Sequence, residues 1–200
     1  MIHVRPGVRD DADALAAAHI EGWRGGYRGI FPDAYLDSPQ FASERLDTWR
    51  AWTWGIHGSS LLVVELHERV VGFALVGAER EQPGAEPGKP VPDPLPGRAV
   101  TSAPGIRGRG EVFAFYLHPD AWGTACAATL MVHSELRLSG DGCHEAVLWV
   151  LRDNPRARRF YERSGWDPTG RMLMWEGPHT ASKPAAAVPE VEYQKRFTQG

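Results

Sequence analysis

The stretch EAVLWVLRDNPRARRFYERSGW, Glu145 to Trp166, narrows the fold of this chain more than any other. Its first seven residues carry one polar side chain, that of Glu145. A strand with one solvated face alternates polar and apolar residues, so a run this apolar is covered on both faces. Helix signals follow at once. Asn154 suits the N-cap, Pro155 the first helical position, where no N–H is needed, and Gly165 the stop. A doubly covered strand feeding a helix belongs to an α/β (or α+β) mixed sheet with helices on both faces. Asn154 sits just past the strand, where open sheets commonly bind ligands. Tyr161, seven residues on, is about two turns further along nearly the same helical face. A cap and a core tyrosine would account for both residues equally well.

The rest of the chain fits that class. IHVRP (Ile2–Pro6) alternates as a short strand. Asp10 or Asp11 can cap a helix from about Ala12 to Trp23, with Leu15, His19 and Ile20 on one face, and Gly25-Gly26 predicts its interruption. A turn and short helix are expected in FPDAYLD (Phe31–Asp37). Helical period in ASERLDTWRAWTW (Ala42–Trp54) gives a stripe of Leu46, Trp49 and Trp52. Ser59–Val64 and Val70–Val76 predict a hairpin. Residues 80–110 hold seven prolines and six glycines, which predicts a long flexible surface loop inside one domain spanning 1–200. EVFAFYL (Glu111–Leu117) is the next strand, and RMLMW (Arg171–Trp175) and VEYQKRF (Val191–Phe197) are late strands. A Pro/Ala-rich loop separates the last two.

Between the strand at Glu111 and its following helix lies FYLHPDAWGTACAATLM, Phe115 to Met131. The first turn of a helix has free N–H groups and the positive end of the dipole, so it favours an anion. A phosphate reaches it only where side chains are small, and Gly123, Ala125 and Ala127 meet that need. Close packing of helix on sheet would require the same residues, so this stretch alone leaves both readings open.

The order Y-L-H-P-x-x-W-G-T-A-C-A-A-T-L-M and then L-W-V-L-R-D-N-P-R-A-R-R-F-Y-E-R-S-G-W closely resembles the GNAT family of acyl-CoA-dependent N-acetyltransferases. WRGGYRGIFPDAYLD (Trp23–Asp37) is similar to the early helical region of many bacterial members. The resemblance covers nearly the whole chain, most strongly Glu111 to Gly165. It implies a central mixed sheet of about six to seven strands, flanked by helices on both faces, with a splayed strand pair forming a cofactor wedge. The family's pyrophosphate loop usually reads Gln/Arg, two residues, Gly, one residue, then Gly or Ala. Here Trp122, Ala125 and Ala127 hold those places, so the polar side chain and the middle glycine are replaced.

The implied reaction is direct transfer of acetyl from acetyl-CoA, as co-substrate, to a primary amine. Backbone N–H groups of Gly123, Thr124, Ala125, Cys126 and Ala127 would hold the pyrophosphate, with the Thr124 hydroxyl as an added donor. The strand edge at Tyr116, Leu117 and His118 would pair with the pantetheine amides, and Asn154 would bond that arm from the far side. Tyr161 matches the family's usual general acid. With reference pKa values of roughly 10 and 8.5, proton transfer from a phenol to a thiolate is uphill by about 2 kcal/mol, so a hydrogen bond to the departing sulfur serves as well. Glu111 is the leading base, and a solvated strand end would explain it too. Trp23 and Tyr27 are expected along the acceptor wall.

Other classes find less support. The net charge of −3 gives no basic field for nucleic acid. No apolar run reaches the roughly 20 residues that span a bilayer, and the N-terminus lacks a signal-peptide core, which makes cytoplasm the expected compartment and excludes a membrane partner. Cys126 and Cys143 are a poor disulfide framework, and the histidines lack zinc-ligand spacing, so no metal is expected. An acyl-CoA-binding module without turnover is the rival reading, motivated by the altered loop. An exposed late strand offers an edge on which two copies could form a homodimer.

Overall fold

The computed structural model describes residues 1–51, 59–79, 108–175 and 187–197. Trp52, the Pro/Ala-rich loop and nearly all of the 80–110 loop lie outside them. The elements are β1 (Ile2–Pro6), α1 (Ala12–Tyr27), α2 (Asp33–Leu36), α3 (Pro39–Ala51), β2 (Ser59–Leu66), β3 (Arg69–Ala78), β4 (Arg109–Leu117), α4 (Cys126–Gly140), β5 (Glu145–Leu151), α5 (Pro155–Arg163), β6 (Asp167–Trp175) and β7 (Val188–Arg196). Seven strands form one mixed sheet in the order β1-β2-β3-β4-β5-β7-β6.

Every strand pair is antiparallel except the central β4–β5 pair. That pair is the weak seam of the sheet. It is in register only from Arg109–Glu145 to Val112–Leu148. Beyond that point Phe113–Leu117 continues along β3 and Trp149–Leu151 continues along β7, with no ladder between them. The splay expected from the family resemblance is therefore present.

Helices cover both faces. On one, α4 turns Cys126, Leu130, Met131 and Leu138 onto the sheet, a spacing that returns to one helical face. Phe160 and Tyr161 of α5 join the same core. On the other face, Leu15, Ala16 and Trp49 of α1 and α3 pack on Val63, Phe73 and Leu75. The buried stripe of α3 is Phe41, Arg45 and Trp49. Arg45 fits there because its guanidinium stacks on rings, 3.4 Å from the Phe41 centroid and 4.5 Å from that of Trp23.

Two local expectations are corrected. Asp11 does not cap α1 with its side chain; its carboxylate accepts two 2.8 Å bonds from Arg5 and one from the Val8 N–H. And α1 runs unbroken through Gly25-Gly26 to Tyr27. Each helical glycine costs about 1 kcal/mol relative to alanine, and the reason to keep Gly25 lies elsewhere in the chain. A Cβ there would sit 2.5 Å from the Trp122 ring, and one at Gly22 would sit 3.0 Å from the Leu117 carbonyl. These glycines let α1 lie against the end of β4 and the loop that follows it.

Candidate active site

The splay opens into a cavity of about 530 Å³, a size suited to a small ligand or cofactor arm. It passes between β4 and β5 and so touches both faces of the sheet. The α4–α5 side carries Trp122, Gly123, Thr124, Ala127, Ala128, Asn154, Arg156, Arg159 and Arg163. The opposite side carries Trp23, Tyr27, Glu111, Tyr116, Trp149, Trp175 and Glu190.

At the α4 tip, Gly123 has a φ of +73° and open space where a Cβ would stand, so the loop needs its glycine here. Ala125 is in a helical conformation, φ −75° and ψ −2°, where alanine fits without strain. Its methyl does not line the cavity, and neither does Cys126, which is fully buried in the core. The Thr124 hydroxyl is committed within the turn: it donates to the Ala121 carbonyl at 2.6 Å and accepts from the Cys126 N–H at 3.2 Å. Neither that hydroxyl nor the Cys126 N–H is therefore left for an anion. The N–H groups of Gly123, Ala125, Ala127 and Ala128 have no acceptor among the described residues. They form a tip of partial positive charge.

Trp122 does not block that tip. Its indole N–H donates to the Leu117 carbonyl at 3.2 Å, and its ring lies against Gly25. The Arg156 guanidinium stacks on the ring, 3.1 Å from its centroid. Arg156, Arg159 and Arg163 recur at three and four residues along α5, and none has a carboxylate partner among the described residues. Sequence reasoning passed over them, although their spacing is visible in the motif that singled out Tyr161.

The edge of β4 is corrected in detail. The His118 N–H donates to the Val71 carbonyl at 2.7 Å. Antiparallel pairing alternates, so the backbone of Tyr116 also turns to β3, and the N–H groups of Leu117 and Phe115 turn to the gap. His118 does not line the cavity; its ring accepts from the Asp120 N–H at 3.2 Å. Across the gap, Asn154 accepts from the Ala157 N–H at 3.1 Å as N-cap of α5. That occupies its oxygen and leaves its NH₂ group as a donor beside the cavity.

Tyr161 stands at the waist. It is 7% exposed, packs beside Phe115 at 6.4 Å between ring centroids, and its hydroxyl has no hydrogen-bond partner among the described residues. Burial above all, then electrostatic interaction with Tyr116 and Glu190, hold its pKa well above the ordinary phenol value. Burial raises Tyr27 likewise, with Tyr116, Tyr161 and Glu190 adding to the effect. The Tyr27 and Tyr116 hydroxyls are 3.5 Å apart. At neutral pH Tyr161 and Tyr27 are therefore neutral donors.

Glu111 is 1% exposed and lies in the closed part of the seam, opposite Val147. Four residues of strand separate it from Phe115, about 13 Å. It lines the cavity but stands apart from Tyr161. Trp23 is core: 1% exposed, stacked on Phe31 and flanked by Tyr27, Phe41 and Trp175 at 4.8–5.7 Å. It packs behind this side of the cavity more than it faces into it. Glu190, opposite Leu151 in β5 and Leu173 in β6, gave no signal in the sequence. Among the described residues no cluster of three or more His, Cys, Asp or Glu side chains could hold a metal, and no helix is long and apolar enough to cross a membrane.

A mixed sheet parted between two central parallel strands, with an anion-favouring helix tip at the parting, is the arrangement that the resemblance to the N-acetyltransferases implied. The model of the acetyltransferase (GNAT) family matches residues 21–166, and the chain belongs to that family; it is an acetyltransferase. Among curated relatives, the uncharacterized N-acetyltransferase YuaI of Bacillus subtilis is 26% identical over 156 residues, covering 78% of this chain and 75% of its own. The uncharacterized N-acetyltransferase Rv2669 of Mycobacterium tuberculosis is 28% identical over 169 residues, covering 83% and 79%. Two solved structures share the fold. PaiA N-acetyltransferase from Thermoplasma acidophilum, in complex with coenzyme A, aligns at a TM-score of 0.63 with 17% identity over 98% of this chain and 99% of its own. YncA, a putative acetyltransferase from Salmonella typhimurium with its cofactor acetyl-CoA, aligns at 0.61 with 16% identity over 100% and 96%.

Proposed function

We propose that this protein acetylates a primary amine with acetyl-CoA as co-substrate, by direct attack of the amine. The observation that carries the reading is the parting of β4 from β5, with unpaired backbone N–H groups at the α4 tip on one side and the Tyr161 hydroxyl at the waist. The residues present fit the cofactor. Gly123, Ala125, Ala127 and Ala128 aim N–H groups where a diphosphate would lie, and Arg156 supplies the cation that the loop itself lacks. Phe115 and Leu117 offer N–H groups along the gap, and the Asn154 NH₂ faces them as a donor to an amide carbonyl. Acetyl-CoA supplies the activated acyl group and the thiol that departs.

Around the reacting atoms the chain orients and neutralises. An N–H of Phe115 or Leu117 is a preorganised donor for charge on the acyl oxygen. Tyr161 stays protonated and donates a hydrogen bond to the departing sulfur. Its raised pKa makes full proton transfer more uphill than for an ordinary phenol, so the bond itself is the contribution. Glu111, our candidate base, would accept the amine's proton through a water relay, given its distance from Tyr161 along β4.

Thiol release from acetyl-CoA, followed over a panel of primary amines, tests the assignment. Amine-dependent release supports it. CoA binding without release on any amine would leave an acyl-CoA-binding module in its place.

A further inference from the structure

The cavity reaches two sides of α5. Tyr161 lines it at the waist, and Arg156, Arg159 and Arg163 line it as well. At about 100° per residue, the three arginines fall within about 60° of one another around the helix, and Tyr161 stands about 140–160° away. The Tyr161 side meets the reacting end of a ligand, and the arginine side meets a part of that ligand remote from the reaction.

Other arginines of the same segment are engaged elsewhere. Arg158 donates to the Tyr193 hydroxyl at 3.1 Å and to the Arg152 carbonyl at 3.2 Å, and Arg152 pairs with Asp153 at 3.0 Å. Neither lines the cavity. Carboxylates of α5 and α4 are engaged too. Glu162 accepts from the Tyr193 hydroxyl at 2.7 Å, and Glu135 is held by Lys195 at 2.8 Å and by the Trp166 indole at 2.9 Å. The α4 residues that line the cavity, Ala127 and Ala128, carry only methyl groups, which let an anion approach.

Along the α5 axis, Arg159 lies about 4.5 Å and Arg163 about 10.5 Å beyond Arg156. Arg156 is fixed at the near end, stacked on Trp122 beside Gly123. That spread suits two anionic groups on one ligand better than one compact group. CoA has two: its diphosphate, and a phosphate monoester at the 3′ position of its ribose. A phosphate monoester carries about −1.5 to −2 charge at neutral pH and three acceptor oxygens. An arginine fork meets such a group with two parallel hydrogen bonds.

We infer that Arg159 and Arg163 hold the 3′-phosphate of CoA, so that this chain distinguishes CoA from its 3′-dephospho form, while Arg156 serves the diphosphate common to both. This rests on the transferase reading for the identity of the ligand. It goes beyond that reading in assigning a second anion subsite and a selectivity between nucleotides.

Calorimetry on the full chain with CoA and with 3′-dephospho-CoA tests it. CoA should bind at least tenfold more tightly. An Arg159→Gln/Arg163→Gln double variant should bring CoA affinity down to the level of dephospho-CoA and keep the latter within twofold of the parent. Arg156→Ala should weaken both nucleotides by the same factor. Arg159 and Arg163 are exposed, and retained dephospho-CoA binding reports that the double variant is folded. Equal affinity of the parent for the two nucleotides would overturn the inference and leave the transferase reading standing. So would a double variant that still prefers CoA tenfold, or one that stays folded by circular dichroism yet loses both nucleotides alike. The comparison of nucleotides uses the unaltered chain, so it decides the selectivity whether or not the variant folds. Failure of both nucleotides to bind the parent would remove the transferase reading along with the inference.

Discussion

The α4–α5 side of the cavity, proposed above for the cofactor, is cationic and comes from two short stretches, Leu117–Ala128 and Asn154–Arg163. The opposite side, proposed for the acceptor, is mostly aromatic and is gathered from α1, β4, β5, β6 and β7. The difference follows from what each side must recognise. A diphosphate is met by local features, a helix tip and one helical face of arginines, which a short segment supplies alone. A pocket for a particular amine needs walls at several angles, and only tertiary packing brings those together. Tyr161 belongs to neither side. It projects from the cationic side into the waist, where the Glu190 charge also reaches it.

If the sides act independently, a change in one should leave the other untouched, and a change at the waist should affect chemistry alone. The largest effect is expected from Tyr161→Phe. Removing the donor should lower kcat about 100-fold, the lower end for loss of one preorganised hydrogen-bond donor, with CoA affinity within twofold of the parent in calorimetry. Equal losses in binding and turnover would place Tyr161 on the cofactor side.

Next in size is Arg156→Ala. The variant should bind CoA about tenfold more weakly, or about 1.4 kcal/mol, and its affinity should depend less on salt. Its KM for acetylpantetheine, which lacks the diphosphate, should not move. That pair of titrations separates loss of a charge from loss of fold, and a separate Trp122→Phe variant, which keeps a ring under the Arg156 guanidinium, should retain most of the parent's CoA affinity.

The smallest effect concerns His19, beneath the acceptor side. Burial foremost, and the Arg45 charge next, hold it well below the ordinary histidine pKa. Its Nδ1 accepts from the Trp49 indole at 3.2 Å, and its ring packs 4.7 Å from Tyr116. The unfolded chain takes up this proton near pH 6.5 and the folded chain resists it, so stability is kept above that pH and falls as pH drops through it. Urea midpoints between pH 7 and 5 should decline in the parent and decline less steeply in His19→Gln, although that variant starts from a lower value because the Trp49 bond is weakened. Equal slopes would assign the acid sensitivity to other groups.

The same contrast explains what was legible in the sequence. Glu145–Leu151, the Asn154 cap, Pro155 and Gly165 are local signals, and all appear where sequence reasoning put them. The parting of β4 from β5 carries no local signal and was available only through the family resemblance. Gly25 misled because a lone sequence reads a glycine pair as a break, while its partner, Trp122, lies on another element. The role of Trp122 was hidden for the same reason: its ring meets Arg156 and Gly25, which lie on other elements. Glu190 follows a Pro/Ala-rich stretch and becomes visible only by its pairing with Leu151 and Leu173.

Amide hydrogen exchange with and without CoA reads the central proposal most directly, since it reports on the N–H groups that the diphosphate and the pantetheine arm would engage. Saturating CoA should slow exchange at Gly123, Ala125, Ala127 and Ala128 and at Phe115 and Leu117, and leave His118 unchanged because Val71 already holds its proton. Unaltered exchange at the α4 tip in the presence of millimolar CoA would contradict the account.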